Sequence, residues 1–307
     1  MAAGMIGALS LAGPASAADL GDTGGGGYKD APAPSYFSDD SIGWRYSTKF
    51  KEPGTNNGND IEKNILQYNH FNTDAYGANL LNVDALFSGN TDPTTSGDGG
   101  ATEVYAVYRR YWSISKITGW NVSNSIIRDI DLTTGGDFNT KNTFFAPEKK
   151  LLVVGPQIEF NVPVGFFNLG FNFTHEWNHN GLAPTDVSFD PAFEIEAGWS
   201  FPFTIGRSSL AFQGFFNFVA PKGNQPCAGI GTCPVLGGPA SFAPNATKFE
   251  ILTRPEIMLD VGNYFGKPNK FQVGFGYEYW LNKFGNNHDE VPGSLANTPE
   301  LIARIHF

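Results

Sequence analysis

The sequence predicts an all-β chain folded as a transmembrane, antiparallel, up-and-down β-barrel of about 12 strands. Three observations point to it. First, apolar and polar residues alternate with period two over long runs. In one of them Phe167, Leu169, Phe171, Phe173 and Trp177 share one parity, while Asn168, Asn172, Thr174, Glu176 and Asn178 share the other. Second, the runs reach about 10 to 13 residues, the length a tilted strand needs to cross a bilayer, where an ordinary strand has about 5 to 6. Third, aromatics gather near run ends, as Trp177, Trp199, Phe201 and Tyr279 do, in the manner of interfacial girdles. A secreted β-sandwich also alternates; run length and aromatic placement favour the barrel.

Composition narrows the partners. Lys and Arg number 20 against 30 Asp and Glu, a net charge of -10. That balance argues against nucleic acid as a partner, since phosphates require a basic surface. With 37 Gly, 27 Phe and only 16% charged residues, the chain reads as turn-rich and β-rich. Past its first residues it has no uncharged apolar run of the roughly 18 residues that a membrane helix needs.

The ends and the cysteines give further expectations. Residues 1–17 read as a secretory signal peptide, possibly incomplete: Met5 to Ala12 is apolar and Ala15-Ser16-Ala17 is a cleavage signal, but a basic leader is missing. Residues 18–41, rich in Gly and Pro, are expected to be flexible, and 42–307 to form the barrel. Cys227 and Cys233 share a Pro- and Gly-flanked segment. An exported protein meets an oxidising compartment, so a disulfide is expected. The final run places Leu301, Ala303, Ile305 and Phe307 on one parity. An alternating last strand ending in Phe is the mark by which barrel-assembly machinery recognises its substrates.

Strands are expected near 42–51, 61–71, 76–87, 102–112, 149–161, 166–178, 187–201, 208–219, 248–261, 270–282 and 299–307. Single-chain barrels have even strand numbers, which places one more near 125–132. Short connections at 72–75, 163–165 and 202–206 then fall on the periplasmic side. Long polar ones at 88–100, 220–247 and 283–299 fall on the outer side. Pro191 and Pro255 lie on apolar parity, where only a bulge accommodates them.

His175-Glu176-Trp177-Asn178-His179 matches the H-E-x-x-H of zinc proteases. That chemistry needs both histidines on one helical face. On a strand they stand about 13 Å apart and Glu176 points to the opposite face. They are expected to be lipid-side interface residues, with no metal or cofactor and no catalysis.

The opposite parity defines the lumen. It carries Arg45, Lys49, Asp84, Asn172, Glu194, Glu196, Gln213, Phe215, Asn217, Arg254, Glu256, Glu278 and Trp280. Any one of these can be simply a solvated wall residue. Both charge signs occur, with acids in excess, so the pore is not built for anions. Phe215 and Trp280 stand among polar positions, where aromatics suit stacking on a flat or sugar-like solute. Phe215, Arg254, Glu256, Glu278 and Trp280 lie on three consecutive strands and are expected to line one wall.

The order of segments resembles the nucleoside-specific outer-membrane channels, the Tsx-like family. Echoes are NILQYNHFNTDAYGANLLNVDALFSGN, YRRYWSISKITGW, FNLGFNFTHEWNHNG, YEYWLNKFG and PELIARIHF. The resemblance implies a monomeric barrel of twelve strands with a narrow lumen, lined by aromatic and polar groups that bind nucleosides. The expected function is passive uptake of small neutral solutes across the bacterial outer membrane, amid lipid and lipopolysaccharide. A general or cation-preferring porin, or a structural or adhesive barrel acting through its outer loops, are the alternatives.

Overall fold

The computed structural model describes residues 36–144, 146–180, 185–223 and 246–307. The signal peptide expected at 1–17, most of the 18–41 segment, and Cys227 and Cys233 lie outside the described residues. The strands are β1 (Ser38–Phe50), β2 (Ile61–Asp74), β3 (Gly77–Ser88), β4 (Thr102–Ser113), β5 (Ile127–Lys141) and β6 (Lys150–Phe160). There follow β7 (Phe166–Asn180), β8 in two pieces (Thr185–Ser188 and Ala192–Ile205), β9 (Ser208–Val219), β10 (Glu250–Asp260), β11 (Phe271–Leu281) and β12 (Leu295–His306). Each strand pairs antiparallel with the next in sequence, and β1 pairs with β12 through Ser41↔His306 to Tyr46↔Leu301. The sheet is therefore a closed barrel of 12 strands with no free edge.

Polarity is inverted relative to a water-soluble core. Leu66, Phe173, Phe275, Leu301 and Ile305 face outward and exposed, while Arg45, Gln67, Asn172, Arg254 and Arg304 are buried inside. In lipid this arrangement satisfies both faces: the wall contributes its apolar side to the bilayer, and closure gives every strand a partner on each side. Trp44, Trp112 and Trp177 stand exposed on the outer wall.

Sequence and structure differ in instructive places. β1 begins at Ser38, inside the segment expected to be flexible. The strand expected near 125–132 runs to Lys141, because Asp131 to Phe138 pairs with both neighbours and the ladder to β4 continues to Lys141. β12 begins at Leu295, so Pro299 sits within a strand, opposite Tyr277. Lys49 is exposed rather than lumenal: the β1–β2 register shifts between Ser47 and Phe50, and a bulge moves the next side chain to the other face. Pro191 falls in the break that divides β8. Pro255 faces Gly214, and the β10–β11 ladder omits Arg254 and Pro255, a proline having no N–H to donate.

The two ends of the barrel differ. At the end where β1 begins and β12 finishes, β2–β3 and β8–β9 turn in two residues. Gly206, at φ +60°, fits the first position of the latter turn, which strand twist demands be left-handed. The capped helix α1 (Ile114–Thr118) lies at this end also. The longer connections 51–60, 89–101, 220–249 and 282–294 all fall at the opposite end.

Candidate functional site

Directly opposed residues of adjacent strands share a face. Across β8, β9 and β10 the lumenal rows are Ser200–Gln213–Glu256, Gly198–Phe215–Arg254, Glu196–Asn217–Leu252 and Glu194–Val219–Glu250. Leu252 in turn opposes Trp280 on β11, and Trp280 opposes Ala296 on β12. Phe215, Arg254, Glu256, Glu278 and Trp280 thus do line one wall, all of them buried.

The lumen is crossed by ion pairs. Arg45 donates to Asp84 at 2.8 Å and to Glu300 at 2.9 Å. Glu256 accepts from Arg254 at 3.1 Å, Arg304 at 3.4 Å and Gln213 at 3.1 Å. Arg109 lies between Asp137 at 2.8 Å and Glu196 at 3.3 Å, with Asn172 donating to Glu196 at 3.2 Å. A charge withdrawn from water needs such a partner, since an uncompensated one costs several kcal/mol, roughly 3–5 when a partner is deleted.

Among the described residues, the end with the long connections is tied across by contacts between its loops. Glu52, at the start of the 51–60 connection, is ion-paired with Lys63 and lies 3.8 Å from Lys141 and 3.5 Å from Lys283. Lys141 also holds Asp92 at 2.7 Å. Gly54 N–H donates to Pro292 O at 2.9 Å, and Lys283 Nζ to Lys51 O at 2.7 Å. Gly293, at φ +88°, passes so close that a Cβ there would stand 2.3 Å from Glu52 O. Burial disfavours the Glu52 carboxylate, but Lys141, Lys283 and Lys63 outweigh it and hold its pKa well below the usual range. We term this knot of loops the latch.

Beneath it, the described residues line two small cavities. The first, about 20 Å³, is lined by Phe50, Tyr105 and Trp280 together with Asp84, Glu103 and Glu278 and the latch residues Glu52, Lys63 and Lys283. The second, about 30 Å³, is lined by Glu194, Asn217 and Glu250, by Asp137 and Glu176, and by Leu151, Val219 and Leu252. The predicted site residues therefore divide: Asp84, Glu278 and Trp280 line one cavity, Glu194 and Asn217 the other. Arg45, Gln213, Arg254 and Glu256 belong to the ion-paired lattice, as do Asn172 and Glu196.

One expectation needs correction. Phe215 and Trp280 do not stand among polar groups alone; they form an apolar cluster with Leu252, Phe284 and Ala296. Trp280 meets Phe284 edge-on at 4.8 Å and donates its indole N–H to Glu250 at 3.0 Å. The Arg254 guanidinium lies 5.1 Å above the Phe215 ring. Alternation does not reveal Ala296, which lies in the 283–299 stretch expected to be a loop; Phe284 turns inward from a connection at φ +64°.

Other lumenal groups were missed. Glu300 lay at the border of that same assumed loop. Arg109 and Tyr105 were legible, since Glu103, Tyr105, Val107 and Arg109 alternate inward. Glu52, Lys222 and Asp92 are loop residues folded into the mouth, and no periodicity announces them.

The H-E-x-x-H residues part company as expected of a strand. His175 lies on the outer face, its ring 4.3 Å from that of Trp177 and its Nε2 3.1 Å from Ser188 Oγ. His179 pairs with Asp186 at 3.0 Å. Glu176 points inward and binds Lys222 Nζ at 2.5 Å.

No family model matches the chain, and no curated protein matches it. Among solved structures, the NanC porin is similar at 8% identity and a TM-score of 0.41, over 88% of this chain and 99% of that one. The β domain of the Bordetella autotransporter BrkA gives 8% and 0.38, over 88% and 98%. The outer membrane protein OprD of Pseudomonas aeruginosa gives 8% and 0.29, over 88% and 93%. Strand pairing itself establishes the barrel, and these distant likenesses add neither family nor substrate.

Proposed function

We propose that the protein is an outer-membrane channel for passive passage of small solutes, with nucleosides the favoured class. The observation that carries the substrate is the smaller cavity, where rings of Phe50, Tyr105 and Trp280 adjoin the carboxylates of Asp84, Glu103 and Glu278. Rings suit the face of a base. Carboxylates accept hydrogen bonds from ribose hydroxyls and base N–H groups. At about 20 Å³ this space admits a water, not a nucleoside. Passage therefore requires the latch to lift, and Glu52, Lys63 and Lys283 form both the latch and the cavity roof. The exposed apolar band faces lipid, and Phe307 serves as the handle for the assembly machinery. In planar bilayers, adenosine or thymidine should block the ionic current saturably, at concentrations where ribose or glucose does not. Equal block by sugars of similar size removes the substrate assignment.

A second reading is a small cation-preferring pore. It is favoured by the packing of Phe215 and Trp280 into an apolar cluster, and by the buried acids, which outnumber buried Lys and Arg among the described residues. A reversal potential measured across a KCl gradient, without any solute block, would select it.

A further inference from the structure

Charge is spread unevenly around the end of the barrel that carries the short turns. On the half built from β1 to β6 the arginines are answered: Arg110 pairs with Asp74 at 2.7 Å and Arg128 with Glu159 at 2.9 Å. The other half runs from the 161–165 connection to the start of β11. Its cations are Arg207, in the β8–β9 turn, and Lys267 and Lys270, in the β10–β11 turn, all exposed. Among the described residues, none of the three has an acidic oxygen within 4 Å. Asp260, the acid of this sector, is buried and engaged by the turn itself. Its Oδ1 accepts from Asn263 N–H at 3.2 Å and its Oδ2 from Asn269 N–H at 2.7 Å. The chain as a whole carries a net charge of -10, so a sector of unpaired cations runs against its average.

The two turns are joined and braced. The Ser208 and Tyr264 hydroxyls lie 2.7 Å apart, and Lys267 N–H donates to Gly262 O at 2.9 Å. Apolar side chains stand in the open beside the cations: Ile205 is 65% exposed and Phe265 77%, and Tyr264 and Phe271 are exposed too. They carry the lipid-facing wall out to the rim. Toward water such a cluster is unfavourable. At a membrane interface the rings sit at headgroup depth, and Lys and Arg lay their stems along apolar surface while their charges reach outward. A zwitterionic headgroup would bring its own cation to this sector. An anionic one brings phosphate oxygens and a net negative charge, which is what three unpaired cations complement.

We propose that this sector binds the headgroups of anionic phospholipids. Arg207, Lys267 and Lys270 take the phosphates, and Ile205, Tyr264 and Phe265 anchor the turns in the headgroup layer. The site rests on the outer-membrane reading, which sets this end in the phospholipid leaflet.

The test is native mass spectrometry of the purified barrel in detergent micelles, titrated with phosphatidylglycerol or with phosphatidylcholine of the same acyl chains. A cation near an anionic surface is worth about fivefold in affinity. Phosphatidylglycerol should therefore be preferred by more than about tenfold, and by less as salt is raised. Arg207→Gln, Lys267→Gln and Lys270→Gln combined should abolish the preference, and each alone should lower it roughly fivefold. Lys150→Gln removes an exposed cation at the opposite end and should leave it unchanged. Heat-modifiable migration on gels verifies that each variant folds. Equal binding of the two lipids, or a preference that survives in the folded triple variant, overturns the site; the cations would then suit an acidic protein instead. Lipopolysaccharide bound in preference to phosphatidylglycerol, and lost in the triple variant, overturns the leaflet and the proposal with it. Insertion into vesicles keeps the two ideas apart. A barrel that inserts but shows no lipid preference refutes the site alone; one that does not insert refutes the membrane reading as well.

Discussion

Arg109 Nε stands 3.3 Å from Glu196 Oε2, and the two side chains come from β4 and β8, strands that are not neighbours in the wall. This pair spans the lumen. Both side chains are almost wholly buried, and Asp137 holds the other face of the guanidinium. A barrel whose middle is bridged in this way is narrow, and Arg109 is one of the residues that narrow it.

Arg109→Ala should therefore widen the lumen, leaving Glu196 without its cation and Asp137 with Lys149 alone, 3.9 Å away. Single-channel conductance should rise, and cation preference should rise with it, as expected of a pore lined by acids. Stability should fall by roughly 3–5 kcal/mol, because the partners are stranded, and the temperature at which the folded band is lost on gels should drop. Arg109→Lys, which keeps the charge but not the fork, should restore most of the stability and less of the selectivity. Unchanged conductance in a folded Arg109→Ala barrel would show that the restriction lies elsewhere.

The latch gives a pH dependence with a definite sign. Lys141, Lys283 and Lys63 lower the pKa of Glu52 despite its burial. A carboxyl whose folded pKa is depressed contributes stability at pH values above its unfolded pKa, about 4.3. That contribution is lost as pH falls through the lower folded value. The latch should accordingly persist at mildly acidic pH and release only below about pH 4. At neutral pH, Glu52→Gln should do what acid does to the native protein. The three lysines would face one another with their shared anion gone, and trypsin should cleave after Lys51 faster than in the native chain. Equal cleavage rates at neutral pH would mean that the backbone contacts around Gly54 and Gly293 close the mouth unaided.

What the sequence made legible was whatever repeats with period two. Alternation is a local property, so the parity of Arg45, Glu194, Gln213 or Arg254 was readable without any knowledge of neighbouring strands. Alternation fails where the backbone departs from it, as at the Ser47–Phe50 bulge that turns Lys49 outward. It fails again where loops fold inward, as Glu52, Lys222 and Phe284 do. Nor does parity tell which lumenal groups meet. The Arg109–Glu196 contact joins residues of distant strands, and the apolar setting of Phe215 and Trp280 depends on the register that brings Leu252 and Ala296 beside them. Barrel form, side and row were legible; the filling of the lumen was not.

His175→Ala should leave the metal content of the purified protein unchanged. The ring stacks near Trp177 on the outer face, and its strand neighbour Glu176 is committed to Lys222 inside. The substitution removes one surface contact and one hydrogen bond to Ser188, so stability should move by less than about 1 kcal/mol. Stoichiometric zinc in the native protein, lost in this variant, would overturn the assignment of the segment to the barrel wall.

The sharpest division between the two functional readings lies in Phe215 and Trp280. Phe215 is 1% exposed and covered by Arg254; Trp280 is 2% exposed and hydrogen-bonded to Glu250. If they bind solute, Arg254 must swing off the Phe215 ring and the base must take its place. Stacking on an aromatic is worth about 1–3 kcal/mol per base, so Phe215→Ala should weaken nucleoside block roughly 5- to 150-fold while salt conductance changes little. Glu256→Gln should instead lower cation preference, since Arg254 and Arg304 would then lack their shared anion, with a smaller effect on block. If the rings serve only to pack, Phe215→Ala should cost about 3–5 kcal/mol of stability, as loss of a core phenylalanine does. Nucleosides and sugars of similar size would then be affected alike. Thermal stability and block must be measured on the same variant, because the stability loss is expected in both cases. A selective loss of nucleoside block, in Phe215→Ala or in Trp280→Ala, is expected in only one of them. Proteoliposome uptake of nucleosides relative to sugars, unchanged in both variants, would leave the cation-preferring pore as the function of this barrel.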